Sequence, residues 1–309
     1  IDWLSGIDQD PFFCWMSFPD PHHPWDIPAN EKTRLDWRNV PLPHLYRETH
    51  AARLALLKQK PKHWLGYYEG SLWSNLESPR DFVPADLTTD QIKEINAYTH
   101  IENELIDEAI GRVIDWLESK NLMENTDIFF TTDHGELQGD FGLLFKGPYH
   151  VDALMRLPFI WKPAGCADVS AASIDAPVGH LDLAPTFCDI AGIQTPDYCE
   201  GQPLPLSIDD AAQQPRDSIL TEWDSEHGPI TMHLKSIYRA DGWLMTCYGP
   251  SHLYDGSEGE LYNMTEDPDQ VVNLWDDPER QAVKTDLREQ LFESLPAPRS
   301  PALPRVAPV

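Results

Sequence analysis

Between Thr88 and Ser119 the apolar residues recur at helical spacing. Ile92, Ile95, Ile101, Leu105, Ala109, Val113 and Leu117 form one stripe, and Asp90 stands where it can cap the start. A stripe this long must be laid on another layer. Asn125 and Thr126 make a turn, and Asp127–Thr132 follows as a strand with Ile128, Phe129 and Phe130 buried on both faces. Residues 158–162 read as a further strand, ended by Pro163 and Gly165, and His180–Ala191 as a helix closed by Gly192. Upstream, the apolar run Phe12–Phe18 reads as a buried strand ended by Pro19. Strand, helix, strand, loop, strand, helix implies an α/β layered domain.

The rest of the chain is organised differently. Residues 19–90 are rich in Pro, Trp and His, with little periodicity, and read as long loops with short helices of the kind that cover an active site. From Arg216 onward, Ser218–Trp223, His233–Arg239 and Trp243–Tyr248 read as strands joined by short turns, and a final helix runs from Pro278 to Leu295. This predicts a small antiparallel sheet with one helix over 216–295, a larger α/β domain over 1–215, and an extended Pro-rich arm over 296–309. No internal repeat is present.

Composition narrows the partners. A 309-residue chain with 41% hydrophobic residues can bury a sizeable core, which excludes a disordered chain. The formal net charge of −28 makes nucleic acid a poor partner, because phosphate binding needs clustered Lys and Arg. Solubility is the ordinary reading of such acidity, and a site that attracts cations is the functional one. An anionic substrate would need its own local positive charge. No run of about 18 apolar residues is long enough for a membrane span, and Ile1-Asp2-Trp3-Leu4 is not a signal peptide. The five cysteines are widely spaced, with no C-x-x-C pair. Cys14 and Cys188 sit in apolar runs and read as small core residues, which favours a reducing compartment, the cytoplasm over the periplasm.

Two constellations carry chemistry. In Thr131-Thr132-Asp133-His134-Gly135-Glu136 a strand ends in two potential metal ligands, followed by a Gly that lets the backbone turn away. Ligands of open α/β sheets bind beyond such strand ends. A strand-end turn with Asp as a helix cap is the plainer alternative. Gly139, Gly142 and Gly147 then punctuate a loop carrying Asp140 and Lys146. Lys146 is either a point charge for an oxyanion or a solvated surface residue. Pro19-Asp20-Pro21-His22-His23-Pro24-Trp25 follows the first strand, its prolines stiffening the backbone that holds the imidazoles. The alternative is a Pro-rich turn with two exposed histidines.

The stretch TTDHGELQGDFGLLFKGPYHVDALMRLPFIWKPAG, Thr131 to Gly165, resembles the sulfatase family of the alkaline phosphatase superfamily. So do Pro21-His22-His23-Pro24 after a strand, VGHLDLAPTFCDIAGI from Val178, and GELYNMTEDPDQVVNLWDDP from Gly259, all in family order. The resemblance implies a central mixed sheet flanked by helices, with 1–215 as the C-terminal part of the catalytic domain. It implies that Asp133 and His134 complete a divalent metal site, most often calcium, with manganese or magnesium as alternatives. Lys146 would bind the sulfate or phosphate oxygens and help the leaving group. His22 would contact the transferring group or protonate the leaving oxygen, with His23 the weaker candidate. His180 and Asp182 fall in a helix-packing stretch and take no catalytic role. Trp25, Trp64, Tyr67 and Trp73 either line a pocket or, more ordinarily, fill local cores.

The resemblance is incomplete. The family's formylglycine precursor lies in a Cys/Ser-x-Pro-x-Arg motif, which this sequence lacks, as it lacks the N-terminal Asp pair of the metal site. The expectation is that the polypeptide alone is inactive and binds metal weakly, and that the parent protein is the active enzyme. The implied reaction is hydrolysis of a small-molecule or glycan sulfate ester. The alternatives are phosphonate monoester or phosphodiester hydrolysis, and a non-catalytic relative that binds sulfated ligands. The Pro-rich tail could reach a neighbouring subunit in a homo-oligomer.

Overall fold

The computed structural model describes residues 1–6, 11–72, 82–166, 171–227 and 230–296. They form two compact units: Ile1–Lys58 with Lys62–Ala171, and the short segment Gln59–Pro61 with Ala172 onward. Helices and antiparallel sheets make this a mixed α/β fold.

In the first unit, α1 (Asp2–Ser5), α2 (His50–Leu57) and α3 (Lys62–Tyr68) precede the long α4 (Thr89–Ser119). Thr88, not Asp90, caps α4. The Thr88 side chain accepts from the Gln91 N–H, and the Gln91 side chain reaches back to the Thr88 N–H at 2.9 Å. Asp90 lies in the first turn, where its charge favours the positive end of the helix dipole. Strand β1 (Ile128–Thr131) pairs antiparallel with β2 (Phe159–Lys162), Phe129 opposite Trp161 with their rings stacked at 4.9 Å. Between them lies the short α5 (Asp152–Met155).

Phe130 is 38% exposed, against the expectation of burial on both faces. Among the described residues β1 has one strand neighbour, and two-sided burial needs layers on both faces. The run Phe12–Phe18 is not a strand. Its backbone is irregular, Phe13 and Trp15 are exposed, and Cys14 is exposed rather than in a core. An apolar run supplies the side chains of a strand, but a paired backbone has to be supplied by something else. The core of this unit is built instead on Trp64, which is fully buried with its ring edge-on to Phe141 at 5.0 Å and to Tyr149 at 4.6 Å. Trp64 and Tyr67 are therefore core residues, and Trp73 lies outside the described residues.

In the second unit, α6 (Leu183–Ile190) follows a 3-10 turn at His180–Asp182, and α7 (Ile208–Gln213) leads to the sheet. Strands β3 (Ser218–His227), β4 (Ile230–Arg239), β5 (Trp243–Tyr248) and β6 (Gly259–Asn263) form an antiparallel sheet in chain order. Helix α8 (Gln281–Ser294) buries Leu287 and Leu291 against Ile237, Met245, Leu261 and Trp275. Asp182 has a structural place: it accepts from the Gly179 and Gln202 N–H groups and from Arg216 at 2.7 Å.

Candidate active site

Strand β1 delivers Thr132, Asp133 and His134 at its C-terminal end. The Thr132 hydroxyl donates to the His134 carbonyl at 3.0 Å, and the His134 N–H donates to Asp133 Oδ1 at 3.0 Å. The turn is tied from inside, leaving Asp133 Oδ2 3.5 Å from His134 Nε2. Burial raises the Asp133 carboxyl, but the His134 imidazole, two backbone N–H groups and the Thr132 hydroxyl outweigh it and hold it below the usual carboxylate range. His134 Nδ1 lies 2.9 Å from the Gly135 carbonyl, where a proton on Nδ1 is donated, and Nε2 faces Asp133 Oδ2.

Gly135 is required for proximity rather than for a left-handed turn. A Cβ there would meet the Ala153 carbonyl oxygen at 1.9 Å, because the Gly135 N–H donates to Leu154 O at 3.0 Å. This packs the Asp-His turn onto α5. Beyond it the chain folds back on itself, with Leu137 N–H donating to Phe145 O at 3.0 Å and Gly139 N–H to Leu143 O at 2.8 Å. The reversal uses left-handed backbone at Gly139 (φ 108°) and Gly142 (φ 77°), and also at Gln138, Phe141 and Phe145, where side chains oppose it. Asp140 pins the loop from outside by accepting from the Leu45 N–H at 2.9 Å.

The fold-back presents Lys146 beside the exit of β1. Its ammonium donates to His22 Nε2 at 2.6 Å, and His22 Nδ1 faces the His23 carbonyl at 2.6 Å. With the Nδ1 proton on His23 O, Nε2 accepts from Lys146. The His22 ring stacks on His23 at 4.2 Å, and His23 lies 4.6 Å from Phe145, the neighbour of Lys146. His23 is thus a packing residue. Trp25 stacks on Phe145 and borders a recess of about 340 Å³ shared with Leu87, Gln91, Glu94, Ile95 and Tyr98.

The structure therefore joins His22 to Lys146, and Asp133 to His134. Among the described residues, no group of three or more His, Cys, Asp or Glu is arranged to hold a metal ion. Thr132, whose hydroxyl orders the Asp-His turn, was missed by the sequence reading. Its signal was its place directly before the ligand pair.

A strand-exit Asp-His turn is followed by a Gly-rich fold-back that carries Lys146, on an α/β scaffold. The model of the sulfatase family matches residues 1–193, and that of the N-sulphoglucosamine sulphohydrolase C-terminal region matches residues 139–296. The chain belongs to the sulfatase family. It is 26% identical to the uncharacterized sulfatase YidJ of Escherichia coli K12, over 97% of this chain and 54% of that protein. It is 24% identical to the Delta 4,5-hexuronate-2-O-sulfatase of Bacteroides thetaiotaomicron, over 94% of this chain and 58% of that protein. The phosphonate monoester hydrolase of Agrobacterium radiobacter superposes with a TM-score of 0.73 at 20% identity, over 95% of this chain and 58% of that one, a likeness of fold. The chain thus spans a little over half the length of these relatives.

Proposed function

We propose that the protein to which this chain belongs hydrolyses sulfate esters, with His22 and Lys146 on the anion side of the site and Asp133 and His134 among the ligands of a divalent cation. The observation that carries this reading is the 2.6 Å contact of Lys146 with His22, made across 124 residues of sequence in a chain of this family. Lys146 supplies the local positive charge that an anionic ester requires on a chain of net charge −28. It also fixes the His22 ring, whose Nε2 can take the shared proton from the Lys146 ammonium and pass it to a departing alkoxide, leaving Lys146 neutral.

The sulfatase family generally uses a divalent metal. An ionised Asp133 beside the His134 imidazole is a donor set that suits one, and the cation would draw charge from the ester oxygens. Calcium is the favoured ion, with manganese or magnesium as alternatives, since a carboxylate with one imidazole is also compatible with manganese. A sulfated sugar is the favoured substrate, by analogy with the hexuronate-2-O-sulfatase relative.

The test is steady-state kinetics of the protein as its gene encodes it, on an aryl sulfate, a sulfated monosaccharide and a phenyl phosphonate monoester. A higher kcat/KM for the sulfates supports the proposal. Preference for the phosphonate would replace it with the competing reaction, and no turnover of any ester would favour the sulfated-ligand-binding alternative.

A further inference from the structure

Glu102 lies in the middle of α4, and its side chain is almost fully buried, at 3% exposure. Its Oε2 is shielded from solvent and has no hydrogen-bond partner among the described residues. A carboxylate in that position is costly. The charges that act on it are of the same sign. Asp20 and Asp26, which begin and end the turn carrying His22, both add to the effect of burial. The two aspartates are themselves exposed, so Glu102 is the one of the three without water. Within the segment, His22 N–H donates to Pro19 O at 3.2 Å and Asp26 N–H to Pro24 O at 2.8 Å. Its Trp25 borders a recess with Gln91, Glu94, Ile95 and Tyr98 of α4, the turns just before Glu102, so the loop lies against this helix.

We propose that Glu102 is a protonation-controlled positioning residue for the His22 loop: its neutral form lets residues 20–26 seat on α4, and its ionised form repels Asp20 and Asp26 and loosens the hold of His22 on Lys146. Its relevance to turnover rests on the reading of the His22–Lys146 pair given above. Burial first, then Asp20 and Asp26, lift the carboxyl from its ordinary 4.5 to about 7. The folded protein therefore keeps this proton where the unfolded chain has lost it. The stabilising contribution is complete below about pH 4.5, declines as pH rises, and is gone once pH has passed about 7.

The experiment is amide hydrogen exchange of residues 19–26 in the whole protein, from about pH 5.5 to about pH 8.5, for wild type, Glu102→Gln and the double variant Asp20→Asn/Asp26→Asn. Comparison at equal pH removes the intrinsic dependence of exchange on hydroxide. Glu102→Gln mimics the neutral form, so wild type should match it at the acid end and exchange roughly tenfold faster at the alkaline end, with a midpoint near 7. The double variant, altered only at exposed positions, should show a smaller step even if Glu102→Gln folds poorly. Identical profiles for all three proteins would overturn the proposal. So would a pH-dependent loss of protection spread over the whole unit, which is what a purely structural role gives. Exchange is read without turnover, so its failure leaves the hydrolase reading standing, and an inactive enzyme with the expected exchange step would leave this inference standing.

Discussion

Lys146 and His22 bear on each other, and their substitutions should have separable effects. Lys146→Met removes the cation at the site of developing charge. kcat/KM on a sulfate ester should fall by about 10²–10³, the scale of losing one preorganised donor. Lys146→Arg should rescue little, because a planar fork does not replace a compact ammonium aimed at one imidazole nitrogen. His22→Gln should lower kcat more than it raises KM, which steady-state kinetics would show. Asp133→Asn should lower bound divalent metal, measured by elemental analysis of the purified protein, because it neutralises the ionised oxygen ligand of the pair. Asp133, His134 and Lys146 were legible from their places at the exit of β1 and among glycines, whereas His22 was read at the exit of a strand that Phe12–Phe18 does not form. The pairing of Lys146 with His22 was legible only through the family resemblance, since no local rule connects positions 124 apart.

Elements set the positions of these side chains, and two small features govern the elements. Thr88→Ala removes the reciprocal cap of α4 and should cost about 1 kcal/mol in urea unfolding, whereas Asp90→Ala, which loses only a first-turn charge, should cost about 0.3–1 kcal/mol. Gly135→Ala places a methyl group 1.9 Å from the Ala153 oxygen, so the Asp-His turn must lift off α5. The expected loss is about 1–3 kcal/mol, the scale of overpacking, together with weaker metal binding. Denaturant melts and metal titration of this variant check both. Helix α4 and strand β5 fall where the periodicity of the sequence put them. The residues of β6 were read in the sequence only as part of a family signature, with no strand assigned, and Gly259 shows why: with the Trp275 ring 2.5 Å from where a Cβ would sit, the strand is specified by close approach rather than by alternation. Phe12–Phe18 shows the converse, an apolar run that forms no strand.

Across the whole molecule, burial governs the response to acid. Burial pushes the His63 imidazole down to about 3 and that of His150 to about 4. Both are neutral in the fold, so their contribution is complete above the ordinary value of 6.5 and is lost as pH falls toward 4 and then 3. Tm should therefore drop through this window. His63→Gln, which keeps a donor for the Pro148 carbonyl, should flatten the decline in a pH series of thermal melts. Glu102 has the opposite slope, which separates the two effects. The sequence by itself determined the α/β class, the long amphipathic helix, the antiparallel C-terminal sheet and the chemical types at the site, because these follow from periodicity, glycine placement and side-chain chemistry over short stretches. Only the tertiary structure decided that Gly135 serves close packing, that His23 packs between the His22 and Phe145 rings, that Trp64 is core, and that Glu102 is buried in the middle of α4. Desolvation and long-range contact depend on which segments meet in space, and that is not written in any local window of the chain.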